Sequence, residues 1–471
     1  MADKEVLFMK HEFDPTILRS YDIRGQFGTT LNTDDAFSIG AGFGLQIKTS
    51  SAGRVAVGRD GRLSSPELSA ALIDGLRQAG CHVYDIGIGP TPMLYFADRH
   101  LNCDGAIQVT GSHNPPDYNG FKMVRNHQSY FGEDIQNLGE ACALGLSMPG
   151  AGMSEQVFVF DNYINRLRQN ISFGDFTVVW DAGNGAAGPA IDALVTSISG
   201  THKTLFTDVD GRFPNHHPNP VDPDTLKFLK EQVQSAGADC GIGFDGDGDR
   251  IGVIDKTGRQ VSGDLLTAFL SLDVLERHTG ADILFDVKSS STALDVVRRA
   301  GGKPHLWRTG HSHMKKRLKE LGAPLAGEMS GHIFIADDFY GFDDALYVAC
   351  RFLSRLSHLK QRANEGLADF LDQLPPSFTT PEYHIHCPDS EKFTVVERLS
   401  QQLSTTMPAE QINLIDGIRL TTASGWCLIR ASNTEPALVA RAEGKNQSAL
   451  DDMTDFLRNQ LKGAGISWNG P

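Results

Sequence analysis

The sequence predicts an α/β protein made of several domains, and three observations predict it. A unit of short apolar strand, glycine-rich turn and helix recurs along the chain. The length, 471 residues, exceeds the ~250–300 residues at which a single core stops growing. From residue 373 onward the pattern changes to short strands, turns and two helical stretches.

The first unit is "GRVAVGRDGRLSSPELSAALIDGLRQAG". Residues 55–58 form an apolar strand. Ser65 and Pro66 supply a helix cap and a pre-set first turn. Leu68, Ala71, Leu72 and Leu76 recur at helical spacing, Gly80 stops the helix, and "CHVYDIG" starts the next strand. The glycine-rich "GAGFGLQ" at 40–46 reads as a closely packed helix rather than a nucleotide loop. Residues 176–195 repeat strand, turn and helix. "ADCGIGFDGDGDRIGVID" is strand, acidic turn, strand. "ADILFDVKSSSTALDVVRRAGG" is again strand, turn, helix. These blocks predict two or three related α/β domains with at least partly parallel pairing. Functional residues are expected at strand C-terminal ends. "QLPPSFTTPEYHIHCPD" at 373–389 reads as a linker or edge, and a small α+β domain follows it. The expected domains are 1–158, 159–260, 261–372 and 373–471.

Composition narrows the function classes. Charged residues make up 21% and apolar residues 40%, and glycine is high at 49 residues, as many tight loops require. The formal net charge is −15, which argues against nucleic acid or an anionic membrane as main partner. A phosphate-bearing small molecule needs only local positive charge. Cys81, Cys103, Cys142, Cys240, Cys350, Cys387 and Cys427 form no CxxC pair, which reads as core thiols in a reducing compartment. With no secretory signal pattern at the N-terminus and no apolar run long enough for a membrane span, the expected location is cytoplasmic.

"DGDGDR" at 245–250 is the sharpest local signal. In an extended loop, alternate residues face the same way, so Asp245, Asp247 and Asp249 converge. Three carboxylates suit a hard divalent cation, most naturally Mg²⁺. Arg250 adds charge beside them. An EF-hand is excluded, because its required glycine and glutamate would fall on Arg250 and Lys256. A solvated turn is the bland alternative.

"IQVTGSHNPPDYNGFKM" at 107–123 places Ser112 and His113 after an apolar run, with Pro115 and Pro116 stiffening the backbone. Ser112 reads either as a held nucleophile or phosphate carrier, or as a capping residue of a structural loop. No GxSxG elbow and no GxxxxGK[ST] loop occur. "AGEMSGHIF" at 326–334 alternates Glu328, Ser330 and His332, which can hold neighbouring sugar hydroxyls. "IRASNTEP" at 429–436 offers Arg430, Ser432, Asn433 and Thr434 as an anion cradle. Arg24 in "RSYDIRG", Lys288 in "DVKSS" and His311 in "RTGHSHMKK" are isolated candidates.

Taken in order, "YDIRG", "TGSHNPPDYNGFK", "DGDGDR", "DVKSS", "TGHSHMK", "GEMSGH" and "RASNTEP" resemble the α-D-phosphohexomutase family. Within it they look most like the bacterial phosphomannomutase/phosphoglucomutase branch. The resemblance implies three similar mixed-sheet α/β domains and a smaller C-terminal α+β, TATA-box-binding-like domain around a central cleft. It implies a phosphoserine at Ser112 in the first domain and Mg²⁺ on Asp245, Asp247 and Asp249 in the second, with a phosphoserine oxygen completing the set. Arg24, His113, Lys122, Arg250 and Lys288 then line the reaction centre. Glu328 and Ser330 meet sugar hydroxyls, with His311 and His332 close by, and Arg430, Ser432, Asn433 and Thr434 grip the non-reacting phosphate. The implied reaction interconverts hexose 1- and 6-phosphates through a hexose 1,6-bisphosphate that also serves as activator. Lys122, His311 and His332 remain open as the general base. A phosphoglucosamine mutase, or a sugar-phosphate phosphatase or binding protein, is the alternative. A hinge is expected at 368–380. Oligomeric state is not legible.

Overall fold

A computed structural model of the protein describes residues 7–48, 52–433 and 435–468. Four main sheets follow one another along the chain. The first orders its strands Ile23–Gln26, Tyr118–Arg125, Gly105–Val109, Arg54–Arg59, His82–Ile88 and Met153–Gln156. The second runs Thr201–Leu205, Thr177–Asp181, Cys240–Phe244, Ile251–Asp255 and Gln260–Val261. The third runs Lys303–Trp307, Asp282–Asp286, Leu325–Gly327 and Ile333–Ile335.

These three sheets share one device. Their inner strands pair in parallel, as helix-connected strands do. Each then turns back on itself in an antiparallel pair: Val109 opposite Phe121, Phe244 opposite Ile251, and Gly327 opposite Ile333. The partly parallel pairing expected of the local units is thus completed as mixed sheets, the expected fold class. The turns closing these three pairs carry Ser112, the aspartate loop, and Glu328 with His332.

The helix Ser65–Gln78 follows the sequence pattern, but its cap residue is Ser64, which makes no side-chain capping bond. The Ser65 hydroxyl donates instead to Asp60 Oδ1, because Asp60 organises the neighbouring serine loop. Residues 40–46 lie inside the helix Thr33–Lys48, packed on Ser65–Gln78.

The fourth sheet is antiparallel, built on Gly425–Ala431 and Ala437–Gly444 with Ile418–Thr421 alongside. The helices Lys392–Thr406 and Gln447–Gly463 cover it. The proline-rich stretch supplies its edge strands Phe378–Thr379 and Tyr383–His386. One continuous apolar core joins the second and third sheets to the helices Thr91–His100 and Ala345–Ala363, whereas the fourth sheet keeps a separate core. A small cluster of Val287, Trp426 and Leu428 joins it to the third. No helix among the described residues is long and apolar enough to cross a membrane.

Candidate active site

The serine loop is held from outside itself. Asp60 accepts from Thr110 Oγ1 at 2.8 Å and from the Gly111 N–H at 3.1 Å. Arg62, fully buried and ion-paired with Asp60 at 3.2 Å, donates to the carbonyls of Ser112 and Asn114 at 2.7 Å each, Tyr118 at 2.9 Å, and Pro115. A side chain at Gly111 would meet the guanidinium, its Cβ 2.5 Å from Arg62 Cζ. Ser112 itself takes φ = 50°, a left-handed conformation that costs a non-glycine residue roughly 1–2 kcal/mol. Such strain persists only where surrounding contacts over-determine the backbone. Sequence reasoning missed both Asp60 and Arg62.

The aspartate loop meets this serine. Ser112 Oγ donates to Asp245 Oδ2 at 2.8 Å and lies 3.2 Å from His113 Nδ1. The carboxylates do converge, with ligand-capable atoms of all three within 4.8 Å of one another, but not through extended alternation. The segment is a tight turn with Gly248 at φ = 72°, a conformation that glycine adopts without steric cost. The other Asp245 oxygen accepts from the Asp249 and Arg250 N–H groups at 3.1 and 3.2 Å. Lys122 donates to Asp247 at 2.7 Å and to Asp249. Thr91, from the first domain, donates twice to Asp247: its hydroxyl to the carboxylate and its N–H to the carbonyl at 2.8 Å.

These carboxylates do not share one electrostatic state. Burial, with Asp247 and Asp249 nearby, pushes Asp245 well up. Burial and then Asp247 push Asp249 up. Burial works against Asp247 as well, but Lys122 and Thr91 outweigh it and hold this carboxyl down. Lys122 is raised, since the aspartates overcome its own burial. Asp247 Oδ1 and Asp249 Oδ1 are buried with no hydrogen-bond partner among the described residues. Unsatisfied anionic oxygens beside Ser112 fit a hard cation with oxygen ligands.

The third sheet closes the other side. Arg250 Nε donates to His332 Nε2 at 2.9 Å, and His332 Nδ1 lies 3.0 Å from Asp343 Oδ2. His311 stacks on His332 with ring centroids 5.4 Å apart. Burial, reinforced by Lys315, holds His311 well below the usual imidazole range. Burial and then Arg250 do the same to His113. Arg24 binds Asn114 and Asp22 at the edge of the serine loop. Glu328 is buried and accepts from the Gly310 N–H, and Ser330 is half-buried on the same turn.

Lys288 links this site to the fourth sheet, close enough to Glu328 for its charge to be felt there. Its ammonium meets Glu382 at 3.0 Å, on the side of the fourth sheet. There Arg430 Nε pairs with Asp416 at 2.9 Å, and the Ser432 hydroxyl accepts from the Glu435 N–H at 3.2 Å. Asn433 donates to the Tyr21 hydroxyl, which itself donates to the Thr309 carbonyl at 2.8 Å. Thr434 lies outside the described residues. Tyr21 and Asp343 were also missed. Tyr21 stands three residues before Arg24 with no local sign of its role, and Asp343 sits in "GFDDALYV", which reads as an ordinary helix start.

Comparison with known proteins follows the same order. Four family models match: "Phosphoglucomutase/phosphomannomutase, alpha/beta/alpha domain I" over residues 15–142, domain II over 161–258, domain III over 262–376, and the C-terminal domain over 383–460. The chain is 42% identical over 453 residues to a phosphomannomutase/phosphoglucomutase of Pseudomonas aeruginosa, covering 96% of each chain. It is 39% identical over 443 residues to a phosphoglucomutase of Neisseria gonorrhoeae, covering 92% of this chain and 94% of that one. A crystal structure of a phosphoglucomutase/phosphomannomutase family protein from Burkholderia thailandensis superposes with a TM-score of 0.89 at 40% identity, covering 97% of this chain and 99% of the other.

Proposed function

From the premise that the chain belongs to the phosphoglucomutase/phosphomannomutase family, we propose that it interconverts glucose and mannose 1-phosphates with their 6-phosphates, using Ser112 as phosphoryl carrier. The observation that carries this reading is the meeting of Ser112 Oγ and Asp245 Oδ2 at 2.8 Å, across loops from two different sheets.

In this reading the phosphorylated Ser112 faces the free hydroxyl of a bound sugar phosphate. The bond from Ser112 Oγ to phosphorus breaks, a bond from the sugar oxygen to phosphorus forms, and the hydroxyl proton passes to a base. The serine oxygen ends as a hydroxyl or returns to the phosphoryl state when the bisphosphate presents its other end. A hexose 1,6-bisphosphate is thus both intermediate and activator. Mg²⁺, held by Asp245, Asp247, Asp249 and an oxygen on Ser112, would neutralise charge on the transferring group.

The chain's own residues divide the remaining work. Lys122, which donates to Asp247 and Asp249, brings positive charge to the transferring group. The proton acceptor is sought among Lys122 and the stacked pair His311 and His332. His332 Nε2 is engaged by Arg250, so it accepts a proton only when Arg250 turns to the phosphate. Arg24 and His113 flank the serine. Glu328 and Ser330 take sugar hydroxyls, and Arg430, Ser432, Asn433 and Thr434 take the far phosphate with Lys288 beside them. The cytoplasm is the proposed location, supported by the free, buried cysteines.

The test is a substrate panel. Purified protein with Mg²⁺ and glucose 1,6-bisphosphate is assayed on glucose, mannose and glucosamine 1-phosphates. Turnover of the first two is expected, and a strong preference for the glucosamine compound would overturn the assignment of sugar.

A further inference from the structure

A further cavity, of about 640 Å³, opens between the first and third domains and touches the site above only through Lys315. That size lies within the roughly 300–1,000 Å³ of small-molecule pockets. Its walls come from the end of the helix Thr91–His100, the strand Gln128–Tyr130 and the helix His311–Leu321. Its apolar surface includes the rings of Phe131, Tyr340 and Phe342.

The charges lining it are unevenly matched. Asp98 pairs with His127 at 2.6 Å, Asp282 with His305 at 2.6 Å, and Asp337 with Arg351 at 2.8 Å. Those carboxylates are answered, and the exposed Asp338 accepts from the Asn170 amide at 3.1 Å. On the helix His311–Leu321, Arg317 turns away onto Glu320 and the Trp307 ring. Lys315, Lys316 and Lys319 face the cavity instead. Lys315 reaches Asp343 at 2.8 Å, but Lys316 and Lys319 have no ion-pair partner among the described residues. Lys315 and Lys319 stand four apart, where like charges repel on a helix. An anion between them would relieve that repulsion.

We propose that this cavity binds a ring-bearing organic phosphate of the nucleotide class, its phosphate on Lys316 and Lys319 and its ring against the aromatic wall. A phosphate there also draws on Lys315. It then competes with Asp343, the carboxylate that meets His332, so occupancy is felt at the reaction centre.

The experiment is calorimetric titration of the whole chain with AMP while excess glucose 1,6-bisphosphate fills the sugar-phosphate cleft. Saturable one-to-one binding is expected, weakened about tenfold or more in Lys316→Glu/Lys319→Glu. That double variant keeps its mutase turnover without AMP, which shows it is folded. No saturable binding, binding of equal strength in the variant, or adenosine binding as tightly as AMP would each overturn the site. Turnover of the wild type at saturating sugar phosphate should shift on adding AMP and stay put in the variant. Unchanged wild-type turnover with AMP bound would overturn the coupling through Lys315. Because binding is the primary readout, it can fail while the mutase assignment stands.

Discussion

The loop at 110–118 and the loop at 430–436 are both turns between antiparallel strands, and both present polar groups to a phosphate in the proposed reaction. They are held very differently. The first is fixed by Arg62 through four carbonyls, by Asp60, and by Asp245 from the next domain. The second is held mainly from within its own domain, which has its own core: Arg430 pairs with Asp416, Glu435 is met by Ser432, Lys392 and His384, and Asn433 alone among these reaches the first domain, at Tyr21. The difference matches the two tasks. Phosphoryl transfer needs one point held still. Gripping the idle phosphate of either sugar orientation needs a partner that can shift, which is why we place the moving part in the fourth domain, around 368–380.

Breaking the fixed side should cost most. Ser112→Ala should lower turnover about a thousandfold or more while circular dichroism and melting stay near wild type; substantial steady-state turnover in the purified variant would contradict the carrier role. Arg62→Met should come next. It strands Asp60 and releases four carbonyls, and breaking a buried pair costs about 3–5 kcal/mol. Urea unfolding and kcat should fall together, and a stable variant with normal kcat would show that the serine loop holds itself.

The grip should respond differently. Arg430→Ala removes charge-assisted bonds worth about 1.5–3 kcal/mol, so KM should rise roughly ten- to a hundredfold with a much smaller change in kcat. Equal losses in kcat would place Arg430 in the transition state and erase the contrast.

The smallest effect concerns pH. Burial pushes Asp344 up to about 7, where it accepts from Tyr163 and caps the helix Ala345–Ala363. A raised carboxyl stabilises the fold fully below its unfolded value near 3.8, and that contribution is lost as pH rises through about 7. Between pH 5 and pH 8 the loss is roughly 2–3 kcal/mol. Asp344→Asn keeps the capping oxygen but cannot titrate. Its melting temperature should therefore fall less between pH 5 and pH 8, by about 2–4 °C. Parallel curves for the two proteins would remove Asp344 from the pH response.

Much of this was legible because the chemistry is written in contiguous strings. "DGDGDR" shows three carboxylates on one turn, and "RASNTEP" shows a guanidinium beside hydroxyl and amide donors. What supports them was not legible. Arg62 holds carbonyls 50 or more residues away, and Tyr21 reaches Asn433 across nearly the whole chain. Lys288 is written in "DVKSS", but its ion-pair partner Glu382 sits far along the chain in the proline-rich passage. For the same reason mixed sheets were expected from the family resemblance rather than from the local units. Each strand-turn-helix unit looks parallel by itself, and the antiparallel return appears only when the sheet is assembled.

The most direct measurement is intact-mass and peptide mapping after incubation with glucose 1,6-bisphosphate and Mg²⁺. A gain of about 80 Da, the mass of one phosphoryl group, should appear on the wild type, map to Ser112, and be discharged by sugar monophosphate. A phosphoryl group that maps to any other residue, with Ser112→Ala labelled as fully as wild type, would contradict the account at its centre.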